Sequence, residues 1–241
     1  MSRQSDINQK MRMILVDWIV EIHLKYKLQA QTLWLTVNIL DRYLEKEQVL
    51  RAKLQLVGVC ALLIASKHEE IYPPQVKDCV YVTDYAYSKN EVLSMETTIL
   101  NTLDFAISIP TGYHFFCRYL NCIKASDLTR HMASYFAERN LQESDMLCLL
   151  PHKFAAAAIY AALKQQNGTI LDLENATIWT TALQEESGFT ANDLESCAKV
   201  IIRHVQEDPQ TASKRKLIAT KQKYSKDNYS GVAQLELSNF A

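Results

Sequence analysis

Residues 11–26 read Met-Arg-Met-Ile-Leu-Val-Asp-Trp-Ile-Val-Glu-Ile-His-Leu-Lys-Tyr, and this stretch carries more apolar surface than a helix covering one core needs. At about 100° per residue, one apolar stripe collects Met11, Ile14, Leu15, Trp18, Ile19 and Ile22, and a second collects Met13, Val16, Val20 and Leu24. Polar side chains separate the stripes, Arg12 and His23 on one side, Asp17 and Glu21 on the other. A surface helix has one such stripe. Two stripes leave two readings, a helix in the middle of a bundle or a helix with an apolar groove open to a partner.

Outward from this helix, the pattern stays helical. Spacing and breakers predict helices near residues 8–27, 30–46, 51–68, 74–82 and 89–104, then near 111–123, 126–142, 151–166, 174–186 and 191–206. Pro73-Pro74 stops the third and starts the fourth, and Ser88-Lys89-Asn90-Glu91 matches a capping box that opens the fifth. Pro151 fits a first helical turn, while Gly168 and Gly188 fall just past helix ends. Five Gly and five Pro in 241 residues leave little material for hairpins, so the fold class is all-α.

Five helices followed by five suggest an internal repeat of about 100 residues, with a hinge at Pro110-Thr111. Laying Lys67 on Lys164 puts Gly58, Cys60, Ala61 and Ala65 on Ala155, Ala157, Ala158 and Ala162. Small side chains let neighbouring helices approach closely, which makes each of these helices the expected hub of its half.

Composition excludes several classes of function. The chain is 48% hydrophobic and 22% charged, enough apolar material for one large or two small cores. Its longest apolar run, Leu56 to Ala65, is about half of what a bilayer crossing needs. The six cysteines are scattered without a C-x-x-C pair, as expected for reduced core residues in the nucleus or cytoplasm. A net charge of −1 opposes bulk attraction to nucleic acid. The one basic cluster, Lys214, Arg215, Lys216, Lys221, Lys223 and Lys226, reads as a solvated helix. No phosphate-cradling glycine motif is present, and His68-Glu69-Glu70 lacks the second histidine of a zinc peptidase helix. No spacing selects a catalytic triad, and no cofactor or metal is expected.

Four segments then carry a resemblance in their order and intervals. Residues 11–18 (Met-Arg-Met-Ile-Leu-Val-Asp-Trp), Asp41-Arg42-Tyr43-Leu44, Lys53-Leu54-Gln55-Leu56-Val57-Gly58 and residues 65–74 (Ala-Ser-Lys-His-Glu-Glu-Ile-Tyr-Pro-Pro) resemble successive signatures of the cyclin box. Tyr81-Val82-Thr83-Asp84, Met95-Glu96 and Leu103-Asp104-Phe105 extend the match. The chain is most similar to mitotic A- and B-type cyclins over roughly residues 6–235. The resemblance implies two five-helix cyclin-box lobes, 8–109 and 110–207, with a carboxy-terminal tail over 208–241. Mitotic cyclins carry a long amino-terminal segment with a degradation signal, so the chain resembles a trimmed core with residues 1–7 frayed.

The resemblance further implies a non-catalytic subunit that binds and activates a cyclin-dependent protein kinase in the nucleus and cytoplasm. The implied kinase contacts are Lys67 and Glu96, the apolar Leu100, Phe105 and Ile107, and Glu70 and Lys89 nearby. His68 stands where the family has an aromatic or hydrophobic residue. Met11, Ile14, Leu15, Trp18 and Glu21, with Leu54 and Gln55, look like the docking patch for Arg-x-Leu substrates and inhibitors, Glu21 pairing the Arg. Met13 replaces the family's usual Ala and is expected on the inward stripe. The alternative is a transcription-type adaptor of the same fold that binds DNA or other proteins, which would need a basic groove. A helical hydrolase would need metal ligands that the sequence does not show.

Overall fold

The computed structural model describes residues 4–167, 178–207 and 217–237, which divide into two units, Met1–Thr111 and Gly112–Ala241. No strand occurs among the described residues, and no helix among them is long and apolar enough to cross a membrane.

The first unit holds α1 (Gln9–Lys25), α2 (Ala30–Lys46), α3 (Leu54–Glu69), α4 (Val76–Val82) and α5 (Lys89–Thr102). α3 packs against all four others. The reason is in its composition: Leu56 to Ser66 are buried without a break, so α3 has no solvent face to spend on charge. A 3-10 turn, Arg51–Lys53, leads into α3 where the sequence predicted continuous α-helix from 51. The Ser88–Glu91 capping box is present at the start of α5, and Lys53 together with Ser88 holds the Glu91 carboxyl down at about 2.

Gly58 fixes how closely α1 approaches α3. A Cβ there would lie 2.7 Å from Leu15 Cδ1, with the other Leu15 methyl and Cγ at 3.0 and 3.1 Å. Gly58→Ala is expected to cost about 1–3 kcal/mol by overpacking and to regain about 1 kcal/mol in helix propensity. A lower denaturation midpoint checks this, whereas a stabilised variant would mean that Leu15 swings aside freely.

The second unit repeats the plan with α6 (Gly112–Cys122), α7 (Asp127–Asn140), α8 (Pro151–Asn167), α9 (Thr181–Ser187) and α10 (Ala191–Gln206). α8 is the hub, packed against α6, α7, α9 and α10, and Ala155, Ala157, Ala158 and Ala162 are fully buried. Gly188 ends α9 in the left-handed region at φ 75°, as its position past a helix end predicted. Gly168 and the first part of the helix predicted at 174–186 lie outside the described residues. The repeat reaches further than small residues. Lys67 pairs with Glu96 of α5 at 2.6 Å, and its counterpart Lys164 pairs with Glu195 of α10 at 2.7 Å.

Two expectations about the ends change. Gln4 donates to the Leu44 and Glu47 carbonyls and accepts from the Val49 N–H, Asp6 accepts from the Arg51 N–H, and Ile7 is buried. Residues 4–7 are therefore tied to the loop after α2 rather than frayed. At the other end, α11 (Ala219–Tyr224) and the turns after it pack on α7. Lys223, expected in a solvated basic helix, is buried with both Glu138 oxygens 2.8 Å from its ammonium. A lysine out of water needs such a partner. Lys221 and Lys226 are exposed, and Lys214, Arg215 and Lys216 lie outside the described residues.

Candidate functional site

The first candidate surface gathers at the carboxy-terminal end of α3 and the turn after α5. Lys67 extends from the last turn of α3, where the helix dipole favours a cation, to Glu96, which is largely buried. His68 Nε2 lies 2.8 Å from the Ser108 hydroxyl, so α3 is stapled to the chain beyond α5. The chain leaves α5 through two consecutive left-handed residues, Asp104 at φ 53° and Phe105 at φ 55°. Neither is glycine, so this conformation is costly. Arg42 and Lys46 of α2 hold the turn by donating to the Ala106 and Thr102 carbonyls. The turn leaves the Phe105 ring 64% exposed, an unusual use of a large apolar side chain.

The remaining residues assigned to this surface divide between exposure and support. Lys89 is exposed in the first turn of α5 and Leu100 is half-buried. Ile107 is buried beneath the turn and supports it from inside. Glu70 is engaged within the fold: its carboxylate accepts the Gln29 N–H at 2.7 Å and the Thr32 hydroxyl at 2.5 Å. Gln29 offers no side-chain cap to α2, so the start of that helix draws its acceptor from the end of α3. The sequence reading passed over Ile71 and Tyr72 as site residues, yet they are 87% and 91% exposed. The signal was available: two large apolar residues stand between a helix end and Pro73-Pro74, with no periodicity to bury them.

The second surface lies on α1. Met11, Ile14, Trp18 and Gln55 are half-buried and Glu21 is exposed, which leaves an apolar rim with an acid beside it. Leu15 and Leu54 are buried, Leu15 against Gly58 of α3, and belong to the floor. Ile19, Ile22, Val16 and Val20 are buried as well, while Met13 and Leu24 are half-buried. Both readings of the two-stripe helix thus hold in part. α1 is mostly a buried helix with a half-open Met11–Ile14–Trp18 edge, and Met13, expected on the inward stripe, is half-buried too, as is Leu24. Three of the four polar separators, Arg12, Asp17 and His23, are buried rather than solvated. Arg12 forks onto Asp41 of α2, Nε to Oδ1 at 2.5 Å and Nη2 to Oδ2 at 2.7 Å, a partnership that periodicity alone does not reveal.

The cysteines carry no reactive chemistry in the first unit. Burial pushes the Cys60 and Cys79 thiols up, Cys79 to about 12, which keeps them protonated and inert.

Two consecutive units, each with four helices packed round a central one that carries small side chains at matched positions, define a tandem cyclin-box protein. The family descriptions agree: "Cyclin, N-terminal domain" matches residues 1–108 and "Cyclin, C-terminal domain" matches residues 110–238. The chain belongs to the cyclin family. It is similar to cyclin-B1-1 of Arabidopsis thaliana, 40% identical over 97% of this chain and 53% of that protein. It is also similar to cyclin-B2-1 of Oryza sativa subsp. japonica, 40% identical over the whole chain and 54% of the relative. The chain spans about half the length of the curated relatives it matches. Among solved structures, a viral cyclin from herpesvirus saimiri superposes with a TM-score of 0.73 at 24% identity, covering 85% of this chain and 88% of that one. A chain of the yeast RNA Pol II CTD kinase CTDK-1 complex superposes at 0.62 with 12% identity, covering 99% of this chain and 80% of that one, a likeness of fold.

Proposed function

We propose that the chain is a non-catalytic regulatory subunit that binds and activates a cyclin-dependent protein kinase in mitotic control, acting in the nucleus and cytoplasm. The observation that carries the reading is the exposed Phe105, held out on a costly left-handed turn beside the Lys67–Glu96 pair, in a chain about 40% identical to B-type cyclins. A self-contained fold gains nothing from strain that exposes an aromatic ring. A partner that buries Phe105 recovers that apolar area and meets a charged pair at its edge. Activation then follows from differential binding, since a surface that fits only the kinase state with its catalytic Lys–Glu pair assembled draws the population to that state.

The test is phosphorylation of a short motif-free peptide by a cyclin-dependent kinase with and without the chain, and no increase would end the proposal. The α1 edge is the proposed docking patch for Arg-x-Leu substrates, the Leu entering among Met11, Ile14 and Trp18 and the Arg meeting Glu21. Trp18→Ala is expected to weaken docking by about 2 kcal/mol, or roughly thirtyfold, while phosphorylation of the motif-free peptide is unchanged. An equal fall for both substrates, with a large drop in melting temperature, would make Trp18 a core residue instead.

A further inference from the structure

We propose that Glu143, Asp145 and His204 form a binding site for a divalent transition-metal ion of the zinc class, in the second unit where α10 meets the loop after α7. One donor atom from each of the three lies within 4.8 Å of the others. The observation that points to an ion is the way the imidazole is held. His204 is 7% exposed, and its Nδ1 lies 2.8 Å from Asn140 Oδ1. The Asn140 amide cannot be turned the other way, because its Nδ2 donates to the Phe136 and Ile201 carbonyls at 2.8 and 3.1 Å. Oδ1 is therefore the acceptor and His204 Nδ1 carries the proton. That leaves Nε2, a ligand atom when it carries no proton, turned toward the Asp145 carboxylate.

Nε2 lies 3.4 Å from Asp145 Oδ2, beyond the range of a well-formed hydrogen bond. A metal ligand set has this same arrangement, with the far nitrogen of the histidine held by an amide or carbonyl oxygen so that the near nitrogen faces the ion. One imidazole and two carboxylates suit zinc with water in the fourth position. Ligands at ~2.0–2.2 Å in a tetrahedron stand roughly 3.5 Å apart, which His204 Nε2 and Asp145 Oδ2 already match at 3.4 Å, so only the wider donor separations, up to 4.8 Å, must close, by about 1 Å at most. Asp145 can supply that movement: its side chain is 57% exposed and it sits in a four-residue 3-10 turn, Asp145–Cys148. Glu143 is anchored by Arg139 at 2.6 Å through Oε1, and one of its carboxylate oxygens lies within 4.8 Å of the other two donors. Glu143 and Asp145 are two residues apart but His204 lies 59 residues further on, so no local spacing announces the set.

Calorimetric titration of the metal-free chain with zinc, paired with the absorption spectrum of the cobalt form, tests the site. One equivalent should bind, the cobalt form should lack the intense near-ultraviolet thiolate band, and Asp145→Asn and Glu143→Gln should each weaken zinc by about tenfold or more. The metal-free Asp145→Asn chain should melt as the parent does, which separates loss of a ligand from loss of fold. The absence of saturable binding below millimolar zinc would overturn the proposal. A thiolate band, or affinity indifferent to Asp145→Asn, would also overturn it by placing the ion on cysteines such as Cys122 and Cys148. A His204 imidazole resonance that keeps a proton on Nε2 in the presence of zinc would identify a plain ion pair with Asp145 and exclude the site.

Discussion

Arg12→Ala should cost about 3–5 kcal/mol of folding stability, because it removes one half of a buried ion pair. Arg12 is fully buried and forks onto Asp41, whose side chain is 16% exposed. The substitution strands that carboxylate away from most of the water and opens a large void between α1 and α2. Urea denaturation followed by tryptophan fluorescence measures the loss. The double variant Arg12→Met/Asp41→Leu should recover most of it, since a buried pair replaced by apolar groups of similar volume is close to neutral. A single-variant loss under about 1 kcal/mol would show that water reaches Asp41 when the guanidinium is gone.

Lys67→Ala/Glu96→Ala should weaken kinase binding by about 2–5 kcal/mol, provided the kinase desolvates both charges. Removing the two together avoids leaving Glu96, only 8% exposed, as a lone buried charge. The repeat supplies an internal control. Lys164 and Glu195 form the equivalent pair in the second unit at nearly the same distance, and Glu195 also accepts from the Tyr160 hydroxyl. If such pairs were only ties between the third and fifth helices of a unit, the two double variants would lower the melting temperature alike and neither would change the affinity for kinase. Contact with the kinase predicts a different outcome, a loss of affinity in the first pair and none in the second. Unchanged affinity in Lys67→Ala/Glu96→Ala would remove both residues from the interface.

The helices themselves were legible because their causes are local. Periodicity, the Ser88–Glu91 capping box and the Pro151 start depend on residues within one or two turns of each other. The central place of α3 and α8 was legible for a similar reason, since a helix whose middle turns carry no charge can only be surrounded. The site was legible as a set of positions and less so as a set of roles. Glu70 stood in the right motif, yet its carboxylate serves α2, which the motif cannot state. Phe105 stood in the motif too, and only the left-handed backbone at Asp104 and Phe105 explains why its ring faces water.

Residue order alone determined that this chain is two all-α units in series, because burying apolar stripes at helical spacing is a sum over local choices. The tertiary structure decided which charges those helices bury and which partners hold them. Arg12 and Asp41 are 29 residues apart, Thr32 and Glu70 38, and Glu138 and Lys223 85. Whether such a group meets water or a counterion depends on the packing of whole helices, and a charge is tolerated inside only where that packing brings its opposite within hydrogen-bond reach.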